Sequence, residues 1–172
     1  PQVAAVAWTT TPWTLPANLG LMVDPGATYA VVEAAGRQVL VAEARVAAVA
    51  EAAGWNDPQV LDRVKGADLL EVVFEGPWGN DSRVVDGTPF VSLEDGTGLV
   101  HTAPGHGKED FAVGQRAGLG VVCPVDEAGR FTSEVERFVG RSVLDVNDDI
   151  IQWLTESGRV LAKGTLVHSY PH

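Results

Sequence analysis

Hydroxyl, indole and proline side chains are concentrated in one short segment, residues 8–18. The threonines at 9–11 follow an apolar, strand-like run, and Pro12 and Pro16 bracket Trp13. Threonines at a strand end have an ordinary explanation, because their branched side chains suit a pleated backbone. The two prolines, however, stiffen the exit and hold a large indole where a small ligand could stack. We interpret the segment as one wall of a binding pocket.

A second segment, residues 96–110, combines glycines with histidines and acids. Its glycines permit close backbone approach, and the helix predicted to begin at Lys108 presents free N–H groups that suit oxyanions and carboxylates. His101, His106 and Asp110 could also be metal ligands of mixed nitrogen and oxygen type. Their spacing matches no familiar metal motif, and acids in a first helical turn are explained by the helix dipole. We therefore predict no metal or other cofactor and keep a metal-dependent hydrolase as an alternative.

Composition limits the classes of function. The chain has 172 residues, 45% of them hydrophobic, which suits one folded domain over residues 1–172. Its formal net charge of −11 disfavours a free-standing nucleic-acid binder, which needs Lys and Arg to neutralise phosphates. Cys123 is the only cysteine, so no internal disulfide is expected, and no apolar run is long enough for a membrane span. The first residue is Pro1 and not a start methionine, so we expect a piece excised from a larger protein. We also expect this piece to be cytoplasmic and monomeric.

The elements that must position these two segments are mostly short strands. We predict a hairpin of strands 29–33 and 38–42 around Ala34–Gly36, and helices over 43–53, 108–117 and 148–156 that end near glycines. Asp57-Pro58 predicts a further short helix ending by Gly66. The remaining strands are expected at 3–10, 69–74, 88–93, 98–103, 121–125, 130–132 and 160–170, with 88–93 and 98–103 forming a second hairpin. This pattern predicts a β-rich mixed α+β fold with a closed or nearly closed β-barrel core, decorated by three or four helices.

The two segments together resemble the paired signature of the editing (CP1) domain of isoleucyl-tRNA synthetases, within the class I aminoacyl-tRNA synthetase family. The related valyl and leucyl enzymes are less similar, because an arginine usually precedes the proline where this chain has Thr11. Residues 124–131 and 168–172 also resemble that family, so the likeness covers nearly the whole chain. The ATP-site signatures of the synthetic domain are absent from this sequence.

The resemblance implies a hydrolytic proofreading activity without synthetic activity. The substrates it implies are valyl-tRNA(Ile), bound through its 3′ end, and possibly valyl-adenylate, in a pocket that admits valine and excludes isoleucine. The remainder of the synthetase would act in cis and hold most of the tRNA. A non-catalytic interaction module, in which both segments only shape a rigid surface, is a further alternative.

The resemblance also implies roles for individual residues. Asp110 matches the acid that ends the second motif and is expected to anchor the substrate ammonium group. Thr11 and His101 are expected to form the wall that rejects isoleucine, with Trp13 packing behind or beside them. Thr9 and Thr10 would orient the attacking water and the ester.

Contacts with the end of the tRNA are implied for a second group of residues. Asn18 is expected to support the threonine turn or to contact the terminal nucleotide. Gly105 and His106 lie in the stretch that would let the 3′ end approach the backbone. No residue is an obvious general base, so the resemblance points to a terminal ribose hydroxyl of the tRNA as the group that activates water.

Overall fold

Two four-stranded sheets form the framework of residues 2–164, the part of the chain that the computed structural model describes. The strands are β1 (Val3–Ala5), β2 (Gly20–Val23), β3 (Thr28–Ala34), β4 (Arg37–Ala42), β5 (Gln59–Lys65), β6 (Val73–Glu75), β7 (Asp81–Asp86) and β8 (Val100–Thr102). One sheet has the order β1-β4-β3-β5 and the other β6-β7-β2-β8. The pairs β1–β4 and β2–β7 are parallel, and the other pairs are antiparallel. The mixed α+β class predicted from the sequence is confirmed.

The hairpin of β3 and β4 forms as predicted. Ala35 and Gly36 occupy its turn with φ of +51° and +75°, and Ala34 pairs with Arg37. Two consecutive positive φ values are typical of the two-residue turns that match the twist of paired strands. A local turn signal was therefore sufficient to locate both strands.

The described helices are α1 (Val46–Ala53), α2 (Gly66–Leu69), α3 (Lys108–Ala117) and α4 (Asn147–Glu156). Three of the predicted helices are confirmed, although a 3-10 helix, Glu43–Arg45, precedes α1. Gly54 and Gly118 end α1 and α3 in the left-handed conformation. Among residues 2–164, no helix has the length and apolarity that crossing a membrane requires.

The helix predicted after Asp57-Pro58 is wrong. Residues 59–65 form β5, which pairs antiparallel with β3 over Thr28–Glu33. Asp before Pro is a sound local start signal, but the free edge of β3 offers this segment a row of backbone hydrogen bonds that a helix would forgo. The strand predicted at 69–74 is likewise displaced, because Leu69 belongs to α2 and β6 begins at Val73.

The second predicted hairpin is also wrong. Residues 88–93 form no strand, and β8 pairs with β2 instead, with His101 opposite Leu21. The first strand is shorter than predicted, since β1 ends at Ala5. Residues 121–125 and 130–132 contribute only isolated bridges. Residues 160–164 are not a strand, and the rest of that predicted run, with the 168–172 segment, lies outside the described residues.

The main core lies between the two sheets. Leu21 and Val84 from one sheet pack with Tyr29 and Leu40 from the other. Neither sheet closes on itself, so the predicted barrel is unconfirmed. The sheets meet at one corner, where an isolated parallel bridge joins Trp8, beyond the end of β1, to Val100 on β8.

A second apolar cluster lies under the C-terminal helix α4. Its buried members include Phe131, Phe138 and Ile150, and Trp13 packs against it from a 3-10 helix, Pro12–Ala17. Asn147 Oδ1 accepts a hydrogen bond from the Trp13 backbone N–H at 3.0 Å. The start of α4 therefore fixes the segment that follows the threonines.

Candidate functional site

A cleft of about 280 Å³ lies at the corner where the two sheets meet. It is bounded by the threonine segment on one side and by β8 and the start of α3 on the other. Its lining residues are Trp8, Thr9, Thr10, Thr11, Thr14, Val100, His101, His106, Gly107 and Asp110. The fold thus brings together the two segments singled out in the sequence.

The threonine segment is held by its own hydroxyls. Thr9 Oγ1 accepts a hydrogen bond from the Thr11 N–H at 3.1 Å, which curls the chain before the 3-10 helix begins at Pro12. The hydroxyl of Thr11 lies 3.5 Å from that of Thr9 and 3.4 Å from that of Thr14. The Thr10 hydroxyl makes no hydrogen bond within residues 2–164 and is exposed at the cleft. It is therefore available to a ligand or to water.

His101 is the most constrained side chain of the site. It is 7% exposed, and both ring nitrogens have partners. Nδ1 lies 2.8 Å from the Asn18 amide nitrogen, and Nε2 lies 3.0 Å from the Thr14 hydroxyl. Burial lowers the pKa of His101 to about 4, so the ring is neutral near pH 7.

These contacts bear on metal binding and base catalysis. A histidine ligates a metal or removes a proton through a nitrogen lone pair, and the only lone pair of the neutral His101 ring is occupied by its neighbour. Among the described residues, no three His, Cys, Asp or Glu side chains converge as a metal site requires. The geometry therefore does not support the metal-hydrolase alternative built on His101, His106 and Asp110.

Asp110 lies in the first turn of α3, half-buried and facing the cleft. Its Oδ2 accepts a hydrogen bond from the Ala103 N–H at 2.8 Å, and Oδ1 has no side-chain or loop partner within residues 2–164. Burial raises the pKa of the Asp110 carboxyl above its ordinary value, with the Ala103 N–H opposing that shift. The carboxylate is thus oriented through Oδ2, and Asp110 lines the cleft.

Gly107 gives the Asp110 carboxylate room. A Cβ on Gly107 would lie 2.9 Å from Asp110 Cγ and 3.1 Å from Oδ1. The backbone at Gly107 is extended, with φ −126°, so glycine is needed there for space and not for conformation. Gly107 therefore determines where the carboxylate can lie.

His106 lines the cleft from the loop before α3. Its ring packs edge-on against Trp13, with ring centroids 4.8 Å apart. Its Nε2 is buried and has no hydrogen-bond partner among residues 2–164, and burial lowers the pKa of His106. The uncharged ring is thus held against an indole, and Trp13 stands behind it without lining the cleft itself.

Two residues proposed as ligand contacts lie elsewhere. Asn18 is 3% exposed and supports His101 from beneath, donating also to the Gly20 carbonyl at 3.0 Å. Gly105 does not line the cleft, because the space a Cβ would fill is occupied by the Val122 carbonyl, 2.1 Å away. The Asn18 side chain thus contacts His101 and the Gly20 carbonyl and, among the described residues, it makes no hydrogen bond to the threonine turn that it was predicted to support.

Sequence reasoning missed three lining residues as site members, namely Trp8, Thr14 and Val100. Trp8 is 49% exposed and covers one side of the cleft, and its position beside the threonines was the available signal. Thr14 joins the two segments through His101, 87 residues away, and nothing local indicates that contact.

No protein-family model matches the chain. The isoleucine–tRNA ligases of Geobacillus kaustophilus, Bacillus subtilis and Syntrophomonas wolfei are 49%, 47% and 46% identical to it over 168 residues. These matches cover 97% of this chain and only 18% of each ligase.

Solved structures with the same fold include leucyl-tRNA synthetase domains. GlLeuRS-CP1 superposes with a TM-score of 0.71 at 17% identity, covering 99% of this chain and 84% of that one. The editing domain of the P. knowlesi cytosolic leucyl-tRNA synthetase superposes with a TM-score of 0.69 at 11% identity, covering 91% of this chain and 82% of that one. At such identities the likeness establishes the fold alone.

Proposed function

We propose that the chain, which is 46–49% identical to isoleucine–tRNA ligases over 168 residues, is an isoleucyl-tRNA synthetase editing domain that hydrolyses valyl-tRNA(Ile), and also valyl-adenylate, while sparing isoleucyl-tRNA(Ile). The observation that carries the proposal is the convergence of Asp110, His101 and the threonines 9–11 on one cleft. The volume of the cleft, about 280 Å³, lies just below the range of roughly 300–1,000 Å³ that is typical of ligand pockets.

A second site is needed because binding alone separates isoleucine from valine poorly. One methylene in a hydrophobic pocket is worth about 1–3 kcal/mol, and the isoleucine–valine pair of this very enzyme family is an example on which that magnitude rests. A second site that is too small for isoleucine would hydrolyse the valyl ester and leave the correct isoleucyl ester intact. The proposed cleft is such a size filter.

Asp110 supplies recognition of the amino group in this proposal. An aminoacyl ester carries an ammonium group, and Oδ1 of Asp110 is the acceptor left free by the Ala103 contact. A charge-assisted hydrogen bond there is shorter and stronger than a neutral one. The ammonium would fix the aminoacyl group, whose side chain would then lie between Thr11 and His101.

Thr11 and His101 form the wall that rejects isoleucine in the proposal. His101 is held at both nitrogens, so it cannot easily withdraw to admit one more methylene, and the Thr11 hydroxyl lies 3.4 Å from that of Thr14. Shortening Thr11 to alanine should therefore let isoleucyl-tRNA(Ile) be hydrolysed. Rejection of isoleucine would then be a property of rigid side chains.

Hydrolysis requires water to attack the ester carbonyl carbon and the ribose oxygen to leave with a proton. The lone pair of His101 is engaged, and threonine hydroxyls at ordinary pKa do not remove protons from water. The hydroxyls of Thr9 and Thr10 would therefore orient the water and the ester. We assign activation of the water to the neighbouring ribose hydroxyl of the tRNA.

The partners in this proposal are the 3′ end of the tRNA and the rest of the synthetase. The chain spans 18% of the length of the ligases it matches, and a net charge of −11 gives it little affinity of its own for phosphates. We propose that it acts in the cytoplasm as a monomeric module attached to the remaining domains.

A deacylation assay tests the function. The chain should release labelled valine from valyl-tRNA(Ile), and Asp110→Ala should abolish the release. Thr155→Val, which removes a threonine hydroxyl on the exposed face of α4, is a control that should behave as the parent. Full activity of the Asp110 variant would refute the anchor, and loss of activity on chelation would restore the metal-hydrolase alternative.

A further inference from the structure

One lysine of this acidic chain is not engaged by any neighbouring group. The sequence has 12 Lys and Arg residues against 23 Asp and Glu residues. Within residues 2–164, each of these basic side chains except Lys108 makes a hydrogen bond, an ion pair or a cation–π contact. Lys108 is also exposed. It is therefore the cation that this part of the chain leaves available to an anionic ligand.

Lys108 lies beside the cleft, as the first residue of α3. Gly107, which precedes it, and Asp110, two residues later, both line the cleft. A lysine in the first turn opposes the helix dipole, which favours acids at that end, so α3 gains no stability from it. The position of Lys108 thus has no explanation in the helix and adjoins the place proposed for the substrate.

An exposed aromatic ring lies on the same face of α3. Residues three apart in a helix are neighbours on its surface, so Phe111 shares a face with Lys108. Phe111 is 42% exposed and is not part of the apolar clusters of residues 2–164. It directly follows Asp110, which is about 100° of rotation around the helix, so this face begins at the rim of the cleft.

We propose that Lys108 and Phe111 bind the nucleotide that precedes the terminal adenosine of the tRNA 3′ end. The ammonium group of Lys108 contacts the phosphate of this nucleotide, and the ring of Phe111 stacks on its base. Proteins hold single-stranded nucleic acid through this combination of cations and aromatic rings, and every base has a π-face for stacking. The inference rests on the proposed function and extends it beyond the aminoacyl group and the terminal nucleoside.

Two esters that differ by one nucleotide test this site. The first is the valyl ester of adenosine, and the second is the valyl ester of the dinucleotide of cytidine and adenosine with which the tRNA ends. In the parent chain the added nucleotide should lower KM roughly 5- to 150-fold, the range that corresponds to one stacked base. Phe111→Ala should lose most of this gain, while its kcat and KM for the adenosine ester stay parental, because Phe111 does not line the cleft.

The salt dependence tests the contact of Lys108 with phosphate. Each phosphate neutralised on a single strand contributes a slope of about −0.7 to the logarithm of affinity against the logarithm of salt concentration. Lys108→Ala should reduce the slope for the dinucleotide ester by about that amount, whereas Phe111→Ala should keep the parental slope.

Matched controls come from β5, at the edge of its sheet opposite to β1. Lys65→Ala removes a lysine there, and Leu61→Ala removes an apolar side chain that is 51% exposed. Both should behave as the parent with either ester. If Phe111→Ala fails to fold, Phe111→Leu keeps an apolar side chain without an aromatic face and should lose the same gain.

The outcomes distinguish this site from the proposed function. An equal gain from the added nucleotide in the parent, Lys108→Ala and Phe111→Ala would overturn the site, as would a loss of adenosine-ester hydrolysis in folded variants. Absence of valyl-ester hydrolysis by the parent would instead overturn the proposed function. The unacylated dinucleotide then still tests the site, because it should shift the NMR signals of the Phe111 ring protons upfield, and unshifted signals would overturn the site.

Discussion

Replacing Asp110 with asparagine removes one negative charge from the cleft while keeping an oxygen for the Ala103 N–H. In the parent that N–H donates to Oδ2 at 2.8 Å, and the amide oxygen of asparagine can take the same place. Asp110→Asn therefore tests the charge of the anchor, whereas Asp110→Ala also removes the support of the loop. Comparing the two variants therefore distinguishes the loss of the negative charge from the loss of the hydrogen bond that supports the loop.

The expected loss follows from the placement of Asp110. A hydrogen bond to a charged group contributes about 1.5–3 kcal/mol, and 1.36 kcal/mol corresponds to a factor of ten in rate. Two unit charges 4 Å apart near a protein surface attract by about 4 kcal/mol, which is an upper bound for a half-buried carboxylate. We expect kcat/KM for valyl-tRNA(Ile) to fall about 10- to 150-fold in Asp110→Asn.

A substrate without the amino group makes the assay specific. The 3-methylbutanoyl ester of tRNA(Ile) has the valine side chain and lacks the ammonium. The parent should prefer the valyl ester over this analogue, and Asp110→Asn should hydrolyse the two at similar rates. Thr155→Val, on the exposed face of α4, is the control and should keep the parental preference.

The pH profile adds a second readout. Because burial raises the Asp110 pKa, the carboxylate should gain a proton, and activity should fall, at a higher pH than for an ordinary aspartate. That acidic limb should be absent from Asp110→Asn. An undiminished preference of the asparagine variant for the valyl ester would refute an ionic anchor at Asp110.

Three further predictions concern positioning and stability. Gly107→Ala should slow valyl-tRNA(Ile) hydrolysis about 10- to 100-fold with an unchanged circular dichroism spectrum, because a Cβ 2.9 Å from Asp110 Cγ displaces the carboxylate. Gly98→Ala should lower the free energy of unfolding, measured in urea, by about 2–5 kcal/mol, because φ is +78° and a Cβ would lie 2.3 Å from the Ala42 methyl group on β4. Gly36→Ala has φ +75° but open space around the Cβ, so its free energy of unfolding should fall by only about 1–2 kcal/mol. The folded-state pKa of His101, about 4, lies below the ordinary value of 6.5, so the unfolded state binds more protons between these two pH values. The free energy of unfolding should therefore fall by about 3 kcal/mol as the pH drops from 6.5 to 4. His101→Gln should not show this fall.

Each of these predictions has a contrary result. Normal hydrolysis by Gly107→Ala would show that the carboxylate position does not depend on space at residue 107. Equal destabilisation by the two other glycine substitutions would show that backbone strain alone, and not the close contact at Gly98, is responsible. An unchanged pH dependence in His101→Gln would place the acid-sensitive group elsewhere.

Local signals in the sequence located the elements whose cause is local. The hairpin at Ala35-Gly36 and the end of α3 at Gly118 depend on backbone conformations that few residues adopt, and both were predicted correctly. Residues 59–65 show the opposite case, because their strand exists through pairing with β3. Strand pairing between distant segments leaves little trace in either segment alone.

The candidate site likewise contains residues that could be found from the sequence and contacts that could not. The threonine segment and the stretch that contains His101 and Asp110 were found from their residue types, and the resemblance joined them. The hydrogen bonds from His101 to Asn18 and Thr14 span 83 and 87 residues, and such contacts become visible only once the chain is folded. The sequence therefore indicated Asn18 without its contact to His101, and it did not indicate Thr14.

The central claim is that this cleft distinguishes two aminoacyl esters by size. The most direct measurement is the initial rate at which the 172-residue chain, in excess, releases labelled valine or isoleucine from tRNA(Ile). Release of valine should be at least about ten times faster than release of isoleucine, which is the discrimination that one methylene can provide. Equal rates for the two esters, or no release of valine at high enzyme concentration, would contradict it.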